Sequence, residues 1–171
     1  MISSIPDQDQ KTQLLDALQT GQIYLVKAQR ESGFILCHRF YAEVIGDGAL
    51  VGGVMDLDCQ RLIPLGQASL VYPESYQERQ SGYQIRQDWI ELTQGLIQSE
   101  VPLQRARNVI TMLERNFSSE SIAEISDEVL GQIAGVLAKT SAIARQKSTP
   151  QPRPSPRKTD PSVTAKPVQV F

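Results

Sequence analysis

The sequence contains one histidine, His38, and two cysteines, Cys37 and Cys59. A single imidazole cannot build a multi-histidine zinc centre, and two thiols with 21 residues between them match no zinc-ligand spacing. Two cysteines among 171 residues make no disulfide framework either; they suit a reducing compartment. Gly-x-Ser-x-Gly and His-Glu-x-x-His are absent, which removes the common hydrolase and metalloprotease plans. "GDGALVGG", residues 46–53, lacks the Lys-Ser/Thr of a phosphate-binding loop and lies between strand patterns rather than before a helix. No apolar run reaches the length of a membrane span. "MISSIPDQDQ" has no basic stretch followed by an apolar one, so no signal peptide is read and the expected location is the cytoplasm. No catalytic residue, metal site or cofactor is expected, and the balance leans away from an enzyme.

Charge is divided unequally. Residues 1–146 hold 12 Lys+Arg and 18 Asp+Glu, a net −6. Residues 147–171 hold five basic residues and one acid, a net +4, and the two sum to the −2 of the whole chain. Six of the ten prolines also fall in this basic stretch. Such a segment buries too little apolar surface to offset the ordering of its backbone, so 147–171 is expected to be a disordered tail. Residues 1–10 are expected to be frayed, and 11–146 to form one domain. Its sheet part would end at residue 72 and its helical part run over 73–146.

"DQKTQLLDALQTG" reads as a helix with Leu14, Leu15 and Leu18 on one face and Gly21 as its C-terminal cap. Gln22–Gln29 is a strand pattern, and a second runs from Phe34 to about Ile45. Gly46-Asp47-Gly48 predicts a tight hairpin turn into a third strand ending near Leu57. Gly52-Gly53 marks a bulge or a close backbone approach, and Pro64 puts the following strand segment at an edge or breaks it.

From Pro73 the period becomes helical. Ile85, Trp89, Leu92 and Leu96 make one stripe; Leu103, Ala106, Ile110, Leu113 and Phe117 make the next. A third helix would open on a capping box, Ser121 with Glu124, with an interruption at Ser126-Asp127. The expected class is α+β: an N-terminal helix, a small antiparallel sheet of three to five strands on a central hairpin, and three C-terminal helices. Gly131 and Gly135 let another backbone come close. Packing within the chain is the first reading, and a homo-oligomer through the helices is the other.

Each suggestive cluster has a plain alternative. Cys37 and His38 are neighbours on a strand, so they face opposite ways and do not form a nucleophile–base pair. His38 falls in phase with Phe34, Leu36, Phe40, Ala42 and Val44, which makes it a core histidine. Asp56 and Asp58 would share a strand face, as a hard-cation site or, more simply, a solvated strand end. Arg105, Arg107 and Arg115 followed by a turn resemble a DNA-reading helix pair only in outline, because Glu120, Glu124, Asp127 and Glu128 would repel phosphates.

The expected function is therefore that of a non-enzymatic interaction, regulatory or adaptor protein, with an acidic body and a tethered basic contact element. The partner-binding residues would be Arg153, Arg157, Lys158, Lys166, Val168, Val170 and Phe171. Val168 and Val170 alternate as a strand adding to a sheet edge would. The alternative is a nucleic-acid-binding regulator whose tail contacts the phosphate backbone.

Overall fold

A computed structural model describes residues 8–148. Helix α1 (Gln8–Gln19) leads into six strands: β1 (Ile23–Ala28), β2 (Gly33–Cys37), β3 (Ala42–Gly46), β4 (Leu50–Gly52), β5 (Arg61–Leu65) and β6 (Ala68–Val71). Five helices follow: α2 (Tyr76–Leu96), α3 (Pro102–Asn116), α4 (Ser119–Ala123), α5 (Asp127–Ala134) and α6 (Ala138–Ser148). The class is α+β, as the sequence implies. The strands form two antiparallel three-stranded sheets, ordered β4-β1-β6 and β3-β2-β5.

The second sheet is the middle layer of the molecule. Phe34 and Leu36 on β2, with Ile45 on β3 and Leu62 on β5, face Tyr24, Val26 and Val51 of the first sheet and Leu18 of α1. Ile35 and Cys37, with Ala42 and Val44, face the other way onto Val109, Leu113, Val129 and Ile133 of the helices. All five residues of β2 are buried. A strand covered on both faces reads as a continuous apolar run, which is why "GFILC" shows no alternation.

Two turns differ from expectation. The stretch Phe34–Ile45 is a hairpin rather than one strand: His38 N–H donates to Tyr41 O at 2.9 Å, with Arg39 and Phe40 as the two-residue loop. Neither loop residue is glycine, and neither has positive φ, so the turn carries no sequence mark. The phase reverses there, so Ala42 and Val44 join the helical core rather than the face of Phe34 and Leu36. The turn at Gly46–Gly48 is real but carries the chain from one sheet to the other, because β4 pairs with β1 and not with β3. Asp47 Oδ1 anchors it by accepting from Ala28 N–H at 2.7 Å.

Gly52 meets the expected close approach: its φ is 87°, and a Cβ there would stand 2.0 Å from Gln22 O. Pro64 sits on β5, an edge strand. The third helical region is three pieces. Ser118, not Ser121, caps the first of them, and Ser126 caps α5, accepting from Val129 N–H at 3.3 Å. Gly135 ends α5 in the left-handed conformation, and a Cβ on Gly131 would meet Val136 O at 2.7 Å. Gly131 and Gly135 thus serve a turn between helices within the chain.

Candidate functional site

Helix α2 sets Ile85, Trp89 and Leu96 of the expected stripe against the two cores. Its buried residues are Gly82 and Arg86, while Leu92 of the expected stripe is 44% exposed. Gly82 lets the helix lie close: a Cβ there would come within 2.4 Å of Leu25 Cδ2. Arg86, one turn on, therefore enters the interior, where only 2% of it is exposed.

A guanidinium in that position needs partners, and three elements supply them. Arg86 Nη1 donates to Asp56 Oδ2 at 2.7 Å and Nη2 to Asp56 Oδ1 at 2.8 Å. Nη2 also donates to Glu43 Oε2 on β3 at 2.8 Å, and Nη1 to Leu50 O on β4 at 3.4 Å. Asp56 Oδ2 accepts a further bond from Gly52 N–H at 2.6 Å. Burial works against the Arg86 charge, but the hydrogen bonds and charges of Asp56 and Glu43 outweigh it and raise its pKa.

His38 extends the cluster. Its Nδ1 lies 2.9 Å from Asp58 Oδ1, and its Nε2 lies 3.7 Å from Asp56 Oδ1, with no hydrogen-bond partner among the described residues. The Tyr41 ring stacks on it at 4.5 Å between centroids. Burial, and the carboxylates of Glu43 and Asp58, push the Tyr41 phenol up. The histidine is buried, as expected, but among charges rather than in an apolar core.

Asp56 and Asp58 do not share a strand face. They follow a single 3-10 turn, Gly53–Met55, and Asp56 is wholly buried while the Asp58 side chain is 64% exposed. Among the described residues no three His, Cys, Asp or Glu side chains converge as a metal site.

The cluster joins α2 to both sheets and offers little to a substrate. Cys37 lies in the helix-facing core and Cys59 in the one between the sheets. Burial raises both thiols, Cys59 to about 11, so neither is a ready nucleophile.

Beside the cluster, a groove of about 280 Å³ opens along β3. Its floor is Tyr41–Val44; Ile90, Thr93 and Gln94 of α2, with Ile97 just past its end, form one wall, and Gln132 and Ile133 of α5 the other. A second hollow, of about 610 Å³, continues past Phe40 toward Pro102, Leu137 and Ala138. Phe40 and Leu137, 81% and 79% exposed, stand at its rim.

The backbone at the floor is the distinctive part. In an antiparallel pair, alternate residues point their N–H and C=O groups toward and away from the partner. His38 and Tyr41 face each other, so Glu43 and Ile45 bond β2 while Ala42 and Val44 point outward. β3 is an edge strand, and neither α2 nor α5 supplies a hydrogen bond to these outward groups. Ala42 and Val44 are only 5% and 2% exposed, so these outward groups, unpaired among the described residues, are buried at the bottom of the groove.

Of the residues the sequence points to, His38 and Asp56 are brought together, and Cys37 is turned away from both. Arg153, Arg157, Lys158, Lys166, Val168, Val170 and Phe171 lie outside the described residues. Arg86 and the groove escape the sequence reading. The one available signal is Gly82, a glycine mid-helix one turn before a charged residue. Comparison with known protein families, with curated proteins and with solved structures finds no match. Among the described residues no helix is long and apolar enough to cross a membrane.

Proposed function

We propose that the chain is a protein-interaction module that takes an extended apolar segment into the groove along β3, as an added strand. The edge of β3, unpaired among the described residues, carries this reading. Buried backbone N–H and C=O groups are almost always paired, and two consecutive outward residues left unpaired form a short template for a strand. Strand addition draws affinity from main-chain hydrogen bonds and selectivity from alternate side chains. The walls favour apolar side chains, through Ile90, Ile97 and Ile133, and offer the amides of Gln94 and Gln132 at the margins.

A fluorescent peptide of sequence Lys-Val-Thr-Val-Thr-Val tests this by anisotropy against the full chain. Saturable binding is expected, weakened at least about tenfold when the peptide's amides are N-methylated, since that removes the donors of the ladder. Gln94→Trp, an exposed substitution that fills the groove, should abolish it. Equal binding of the methylated peptide, or no binding at all, would sink the proposal.

A further inference from the structure

We infer that the occupant of the β3 groove is this chain's own segment Val168–Phe171, docked from the same molecule; this rests on the strand-addition reading above. The first argument is pattern. Within residues 149–171 the clustered apolar residues are Val168, Val170 and Phe171, and the two valines fall on one face of an extended strand. Set beside β3, they would stand next to Ala42 and Val44.

The second argument is reach. Helix α6 starts beside the hollow, where Ala138 lines it, and its 11 residues carry the chain about 16 Å away at 1.5 Å per residue. Nineteen residues, 149–167, then precede Val168 and span at most about 65 Å. The return is well within that limit. A tether of this length holds its end at an effective concentration of about a millimolar, so weak strand pairing suffices.

Charge is the third argument. The segment 147–171 carries +4 and residues 1–146 carry −6. Attraction between them favours the docked state and weakens as salt rises. With the groove filled by its own chain, an outside strand must displace it. The arrangement is an intrasterically occupied site.

Amide hydrogen exchange of the full chain provides the test, comparing wild type with the Val168→Asp, Val170→Asp double variant. These substitutions lie outside the described fold. The amides of Ala42 and Val44 should exchange at least about tenfold faster in the variant, while Glu43 and Ile45, bonded to β2, stay unchanged and serve as internal references. Equal rates at Ala42 and Val44 in the two proteins would overturn the inference. Protection that disappears on dilution from about 1 mM to about 10 μM would also overturn it, in favour of docking on a second copy.

A parallel arm adds the Lys-Val-Thr-Val-Thr-Val peptide to the double variant. If the rates of the two proteins are equal and this peptide still protects Ala42 and Val44, the groove takes strands but not this one. If the peptide also fails, the strand-addition reading falls with it.

Discussion

Arg86 and Asp56 form a two-pronged ion pair, at 2.7 and 2.8 Å, in which the side chains are 2% and 0% exposed. The pair joins α2 to the turn after β4. Breaking such a pair from one side leaves an uncompensated buried charge, at about 3–5 kcal/mol. Asp56→Asn is expected to lose stability in that range by urea denaturation. Arg86→Met with Asp56→Leu should lose less than the sum of the single changes, though not recover fully, because Gly52 N–H also bonds Asp56. Additive losses would show that the two side chains act independently.

Gly82 and Gly95 lie on the same helix and should respond to alanine with opposite signs. At Gly82 the added methyl meets Gly48 O and Leu50 Cβ, each at 3.1 Å, and displaces the tip of Leu25. Overpacking of that kind costs about 1–3 kcal/mol, more than the helix propensity gained. At Gly95 nothing lies within 4 Å, so Gly95→Ala should gain up to about 1 kcal/mol. Thermal melts of the two variants check both signs.

Stability should fall on the alkaline side. Burial raises Cys59 from 9.0 to about 11, and raises Cys37 as well. A folded-state pKa above the unfolded one means that the contribution is complete below about pH 9 and lost as pH rises through 11. For Cys59 alone the loss is at most about 2–3 kcal/mol. Urea midpoints between pH 7 and 11 should fall less for Cys59→Ser. At pH 8 a disulfide reagent should modify neither thiol until the protein is unfolded, because the thiolate is the attacking species.

Phe40 separates binding from folding. It is 81% exposed and occupies an unmarked turn, so Phe40→Ser should change stability by less than about 0.5 kcal/mol. It also stands where the groove meets the second hollow, so strand-peptide affinity should fall at least about fivefold, in line with the weight aromatic anchors carry in binding. Unchanged affinity would place the bound segment away from Phe40.

The sequence by itself determined the α+β class and the order of its helical and strand regions. Helix and strand patterns depend on residues a few positions apart, and so do the cap at Ser126, the turn at Gly46–Gly48 and the edge position of Pro64. Tertiary structure decided which sheet each strand joined, which way Ala42 and Val44 faced after the unmarked Arg39-Phe40 turn, and that α2 buries an arginine. Arg86 is tolerated inside only because Asp56 and Glu43, 30 and 43 residues away along the chain, arrive at its guanidinium. The open edge of β3 likewise depends on β4 leaving for the other sheet. Local periodicity records what a residue prefers; the cancellation of a buried charge, and the absence of a neighbouring strand, depend on contacts that no short window of sequence contains.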